Sequence, residues 1–179
     1  PTWLYLSDRL IQFPLGLFGV AIALVALPDL TEQFINQNKR EFKKVFLKGF
    51  LSTFILGLLS GLFYVMLSYQ VIQLLFFRGE FTNYDVEMTS LSLVAYSYAL
   101  PFILSSKFFT SVFFAASKTK FVLILGCTSL FINLVLNYLF IFTYDWGHVG
   151  LALATTFAAI FVWLLAIIFI FRINSNKVS

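Results

Sequence analysis

The chain has 179 residues, of which 60% are hydrophobic, 20% aromatic and only 11% charged. Soluble domains run at about 45–50% apolar and about 25% charged, so a soluble enzyme, a disordered tail and a nucleic-acid-binding module are excluded. A single cysteine excludes a disulfide framework and any Cys-rich metal site. The formal charge of +4 takes its meaning from where the charges sit. At about 20 residues per membrane-spanning helix, the apolar content suffices for roughly five spans. The first residue is Pro rather than Met, and the chain is expected to be a piece of a longer one.

Five hydrophobic segments follow in order. Segment A occupies residues 1–28 and is expected to close at Pro28-Asp29, a helix-ending pair. Residues 29–44 connect it to the next span. Apolar residues recur there at roughly helical spacing between charged ones, which fits either a short amphipathic helix on the membrane face or an ordinary connector. Segment B with an outer extension covers 45–77 and a short loop covers 78–83. Segment C covers 84–117. Segment D, with the turn before it, covers 118–142. Segment E, with its own preceding turn, covers 143–171, and a tail covers 172–179. Each apolar stretch is near or above the length that crosses about 30 Å of hydrocarbon. A β-barrel would show segments of about 10 residues in strict alternation. A signal peptide would not carry Asp8 and Arg9 inside it. The chain reads as an all-α, polytopic helical membrane protein.

Charge placement orients it. The A–B connection and the start of B hold Lys39, Arg40, Lys43, Lys44 and Lys48. The C–D turn adds Lys118 and Lys120, and the tail adds Arg172 and Lys177. The B–C loop has only Arg78, beside Glu80, Asp85 and Glu87, and the D–E turn has Asp145 and His148 without Lys or Arg. By the positive-inside rule the A–B, C–D and C-terminal segments face the cytoplasm. The +4 is topology, not a nucleic-acid footprint.

Small residues form stripes at intervals of three or four: Gly49, Thr53, Gly57 and Gly61 in B, Gly16, Gly19 and Ala23 in A, and Gly150, Ala154 and Ala158 in E. Such stripes let helix backbones approach where lipid removes the usual hydrophobic drive. They predict a packed bundle and say little about its task.

Polar residues inside the spans carry more information. Asp8 and Arg9 lie within A, with Gln12 one turn beyond Asp8 and Pro14 just after. Ionisable groups at membrane depth are costly unless paired or wetted; these two either serve a site or snorkel to the outer surface. An arginine facing a cavity suits a phosphate, because its planar fork donates two parallel hydrogen bonds. Pro14 frees a carbonyl one turn earlier and predicts a kink. Lys107 in C either lines a cavity or snorkels toward the cytoplasm. On D, Ser129, Asn133 and Asn137 recur every four residues. That polar stripe must face another helix or water, as an interhelical hydrogen-bond array or as a cavity or cation lining. Nothing resembles enzyme chemistry: there is no Ser/His/Asp set, no paired carboxylates within a span, no phosphate loop and no HExxH. His148 is expected at the surface.

The stretch from Tyr5-Leu6-Ser7-Asp8-Arg9-Leu10 through Pro14-Leu15-Gly16-Leu17-Phe18-Gly19-Val20-Ala21-Ile22, ending at Leu27-Pro28, resembles a signature of the MurJ (MviN) lipid II flippases. Leu74-Leu75-Phe76-Phe77-Arg78-Gly79-Glu80-Phe81 is similar to that family's outer loop, and Lys107 with Phe113-Phe114-Ala115 resembles a later motif. Gly147-His148-Val149-Gly150-Leu151-Ala152-Leu153-Ala154-Thr155 is similar to the opening of a later helix. The resemblance runs in order along nearly the whole chain. It departs at Thr110-Ser111-Val112 and around Phe121.

The resemblance implies five helices, the eighth to the twelfth, of a two-lobe transporter of about fourteen. That family sits within the multidrug/oligosaccharidyl-lipid/polysaccharide exporter superfamily. It implies alternating-access movement of an undecaprenyl-pyrophosphate-linked peptidoglycan precursor across the bacterial inner membrane, with a multidrug or polysaccharide exporter as the alternative. Implied partners are that lipid-linked precursor, membrane lipids and an N-terminal lobe of the same chain; no cofactor, no enzymatic step and no nucleic acid are implied. The family's Asp-Arg pair maps onto Asp8 and Arg9 as substrate-binding residues, with Lys107 as a secondary cavity cation and Gln12 as a lining residue. A cation site of some members maps near Asn133, Asn137 and Thr155. Its carboxylate would be Asn137 here, which weakens a sodium site.

Overall fold

In the computed structural model, residues 2–142 and 147–175 are described; the expected turn at Asp145 and the tail beyond residue 175 lie outside them. The described residues form helices α1 (Thr2–Pro14), a π-helical stretch (Leu15–Val20), α2 (Ala21–Ile35), α3 (Lys39–Phe76), α4 (Asn83–Ser97), α5 (Leu100–Ala115), α6 (Thr119–Phe142) and α7 (Gly147–Ser175). Four continuous helical runs are long and apolar enough to cross a membrane: Thr2–Ile35, Lys39–Phe76, Thr119–Ile141 and Gly147–Arg172. The pair α4 and α5, bent by 47°, is long and apolar enough to make a fifth when taken together as one broken span. Multi-pass helical architecture is therefore observed as expected.

Segment A is one rod with a defect in it. Pro14 has no N–H for the carbonyl of Leu10, and lipid offers no replacement donor. The Tyr64 hydroxyl of α3 supplies it, donating to the Leu10 carbonyl at 2.8 Å. The chain then widens into the π stretch, the kind of local adjustment that a proline forces on a membrane helix.

The closing of segment A at Pro28 is corrected: α2 runs through Pro28 to Ile35. Two features outweigh the cost of an interior proline, about 3 kcal/mol. Leu30 is fully buried in the core with Ala26, and Thr31 returns its hydroxyl to the Leu27 carbonyl at 2.8 Å. Residues 29–44 are accordingly neither a separate amphipathic helix nor a long connector. The turn is short, with Gln37 in the left-handed region at φ 53°. Asn38 caps α3 by accepting from the Glu41 N–H at 3.2 Å.

α5 is the buried spine. Leu100, Leu104, Phe108, Phe109 and Phe113 are almost wholly inaccessible, and α5 packs on α3, α2, α7 and the π stretch. The predicted stripe on α3 explains how the bend beside it is accommodated. Gly49, Thr53, Gly57 and Gly61 are all buried. A Cβ at Gly57 would fall on the Pro101 backbone, and one at Gly61 would lie 2.8 Å from the Ser97 carbonyl oxygen. The α7 stripe is likewise buried at Gly150, Ala154 and Ala158, and Thr156 donates to the Ala95 carbonyl at 2.9 Å. The segment A stripe is only partly a seam: Gly19 is buried, whereas Gly16 meets open space. α6 rests chiefly on α7 and is the least buried of the span helices.

At the end away from the lysines, Thr82 and Asp85 form a reciprocal capping box that starts α4. Asp85 also accepts from the Trp3 indole N–H at 2.9 Å, tying α4 to α1. His148 is half-buried, not a surface residue, with its ring edge-on to Trp3 at 5.0 Å.

Tyr64→Phe keeps the ring and removes the hydroxyl that donates to the Leu10 carbonyl. Leaving a buried carbonyl unpaired costs about 1 kcal/mol or more. Thermal unfolding of the detergent-solubilised protein is expected to show that loss for Tyr64→Phe and no comparable loss for Tyr69→Phe, an exposed control. Equal melting temperatures for the two variants would sink the assignment.

Candidate functional site

Tyr5, Asp8, Arg9 and Gln12 occupy two rungs of α1, and all four are exposed on the surface of this bundle. Consecutive residues point about 100° apart on a helix, so Asp8 and Arg9 diverge. The structure shows no ion pair between them: among the described residues the one salt bridge is Lys44–Glu41 at 2.6 Å. Arg9 instead reaches back one turn to Tyr5. Its Nε and one terminal nitrogen donate to the Tyr5 hydroxyl at 3.1 and 2.8 Å, and the guanidinium carbon lies 5.0 Å from the ring centroid. Asp8 accepts from the Gln12 amide. The carboxylate is thus held by an amide and the guanidinium by a phenol. Neither charge neutralises the other.

A separate polar line joins Thr155 of α7 to α6. The Asn133 amide donates to the Thr155 hydroxyl oxygen at 3.1 Å, and the Asn137 amide donates to the Asn133 carbonyl oxygen at 2.8 Å. Thr155 passes its own proton to the Leu151 carbonyl at 3.2 Å. Asn133 and Asn137, which the spacing placed on one face, and Thr155, which the resemblance placed beside them, are therefore joined in one array between α6 and α7. The Asn137 carbonyl oxygen is buried and unpartnered. A hard cation would need several oxygens converging, and here the amides spend three of their groups on one another and on Thr155. Among the described residues no cluster of three His, Cys, Asp or Glu side chains could hold a metal.

Lys107 is exposed on α5. Its stem lies against Gly19 of the π stretch, where an added Cβ would be 3.8 Å from the lysine Cβ and Cγ. Nine residues of helix, about 13 Å at 1.5 Å per residue, separate Lys107 from Ala116 at the basic end. That is about twice the reach of a lysine side chain, which disfavours snorkelling there. The polar neighbours of Lys107 a turn along α5 are turned inward: Ser111 is buried, and Thr110 donates its hydroxyl to the Ser106 carbonyl at 3.0 Å. One participant escaped sequence reasoning: Tyr5, legible in principle as an i, i+4 partner of Arg9.

Comparison with known proteins adds the decisive observation. The family described as "Lipid II flippase MurJ" matches residues 1–176. The chain belongs to that family. A probable lipid II flippase MurJ of Vibrio cholerae is 39% identical over 158 residues, which is 88% of this chain and 30% of that protein. Its counterpart in Haemophilus influenzae is 33% identical over 164 residues, 88% of this chain and 32% of that protein. A solved structure of a lipid II flippase MurJ in an inward closed conformation matches with a TM-score of 0.84 at 25% identity, over 94% of this chain and 35% of that one. The chain spans about a third of the length of these MurJ relatives.

The Asn133 array carries a stability prediction. Asn133→Ala removes the α6–α7 hydrogen bond and strands the Asn137 amide, whereas Asn137→Ala removes a single bond within α6. The first is expected to cost about 1–2 kcal/mol in thermal unfolding and the second clearly less. Equal losses would mean that the array does not join the helices.

Proposed function

We infer that this chain supplies part of a lipid II flippase, moving undecaprenyl-pyrophosphate-linked peptidoglycan precursor across the bacterial inner membrane by alternating access. It binds and moves this lipid without catalysing a reaction on it. Membership of the MurJ family supports the reading. The structural observation that carries it is the exposure of Asp8, Arg9 and Lys107 on spans of this bundle, with no salt bridge to any of them among the described residues. Charges at that depth do not face lipid. They face water or the rest of a longer transporter, which is the arrangement of a cavity wall.

Within that cavity Arg9 contacts the pyrophosphate. Tyr5 fixes the guanidinium through two of its N–H groups and leaves the other three for a bidentate hold on phosphate oxygens. Asp8, turned away and held by Gln12, keeps its charge available for a cation elsewhere in the transport cycle. Lys107 supplies a second positive charge deeper toward the basic end. The headgroup would thereby meet positive charge at two heights along the cavity.

Arg9→Ala in the full-length protein is expected to abolish growth when the native flippase is depleted, with Arg9→Lys recovering only part of it because the planar fork is lost. Normal growth of Arg9→Ala, at matched protein level in the membrane, would refute the role. With the Asn133 carbonyl oxygen already engaged by Asn137 and only the Asn137 oxygen left unpartnered, too few free oxygens converge for sodium to bind at Asn133, Asn137 and Thr155. Exchanging sodium for potassium at constant ionic strength is expected to leave the melting temperature unchanged. A sodium-specific rise that disappears in Asn133→Ala would overturn that.

A further inference from the structure

The basic end of the bundle holds a feature that the polar line does not use. A cavity of about 720 Å³ opens there between α3, α5 and α7, well within the range of about 300–1,000 Å³ that small-molecule sites occupy. Its walls are apolar: Phe46 and Phe50 from α3, Phe109 from α5, and Ile167 and Ile170 from α7. Its mouth is polar and basic, with Gln33, Gln37, Lys39 and Lys43. From Lys39 to Phe50 the groove follows eleven residues of α3, about 16 Å at 1.5 Å per residue. That is the depth of one leaflet, half of the roughly 30 Å hydrocarbon core.

Charge tells what fits the mouth. The only salt bridge among the described residues takes Lys44 to Glu41 and leaves Lys39 and Lys43 without an acidic partner. Counting Asp29, Glu32 and Glu41 against Lys39, Arg40, Lys43, Lys44 and Lys48, the mouth is net positive. Lys118 and Lys120 belong to the same basic end by the charge bias but do not line the cavity. The charge bias puts this end at the cytoplasmic surface, where anionic lipids are concentrated. A polypeptide segment would need acidic residues set above an apolar stem to match both parts. An anionic phospholipid has that form already.

We propose that this groove binds one anionic glycerophospholipid of the cytoplasmic leaflet, with an acyl chain along Phe46 and Phe50 and the phosphate on Lys39 and Lys43. The site is separate from Arg9 and does not depend on which lipid is transported.

The test uses the intact protein purified from membranes and reconstituted in phosphatidylcholine nanodiscs. These carry a small fraction of phosphatidylglycerol with a diazirine in its acyl chain, and no precursor lipid. Irradiation and peptide mapping are expected to place the label on the segments containing Phe46 and Ile170. Unlabelled phosphatidylglycerol should compete and added phosphatidylcholine should not. Lys39→Gln/Lys43→Gln, both exposed positions, should lower labelling about tenfold, while Lys118→Gln/Lys120→Gln should leave it nearly unchanged. Three results would each overturn the proposal. They are labelling spread evenly over the helices, labelling indifferent to the lysines or competed equally by the neutral lipid, and no label in the groove because flanking polypeptide fills it.

Discussion

One orphaned carbonyl organises this bundle. Pro14 removes the donor that the Leu10 carbonyl would have used, and in hydrocarbon an unpaired carbonyl has no water to turn to. The Tyr64 hydroxyl resolves it at 2.8 Å and ties α1 to α3. Above that point α1 is regular and presents Tyr5, Asp8, Arg9 and Gln12 as paired rungs. Below it the π stretch brings Gly19 against the stem of Lys107. The positions of the two cations relative to one another thus descend from a defect in the helix between them.

The second constraint is the distance at which α3 meets the α4–α5 bend. Gly57 and Gly61 bring backbone against backbone at Pro101 and Ser97, where a side chain has no room. Pro101 sits in the first turn of α5, where its missing N–H has no intrahelical partner to lose. The bend therefore costs α5 little and needs a bare surface opposite to receive it. Close approach there allows the ring system of Phe46, Phe50, Phe109 and Trp163 to stack below it. The Phe46, Phe50 and Phe109 rings become the wall of the groove at the basic end.

How much of this was legible in the sequence depended on the range of the interaction. Five apolar lengths and the asymmetry of Lys and Arg are composition effects, and they survive any packing. The Gly49–Gly61 stripe and the Asn133–Asn137 spacing are helical periodicities, and both fell on buried or paired faces as periodicity requires. Failure came where tertiary contacts overrode a local rule. Pro28 reads as a terminator, yet Leu30 and Thr31 beyond it find partners that hold the helix. His148 reads as a solvent residue, yet Trp3, far away in sequence, covers it. Tyr64 has no local mark distinguishing it from the other tyrosines, although the need it meets was visible at Pro14.

The charged residues follow a different logic from the core. A bundle selected only to be stable would dispense with Asp8 and Arg9, which helix geometry keeps from pairing with each other, since an intramembrane charge is a cost that apolar packing does not carry. Here each is held by a neutral neighbour, Gln12 for the carboxylate and Tyr5 for the guanidinium. Neutral partners orient a charge without cancelling it. An anion arriving at Arg9 would meet a guanidinium already restrained in rotamer, at a small entropic cost for each hydrogen bond formed. It would displace no counter-ion. Asp8, adjacent but turned about 100° around the helix, would remain close enough to oppose prolonged retention of that anion. Binding that is oriented yet reversible is the requirement on a carrier, which must release at one face what it took up at the other.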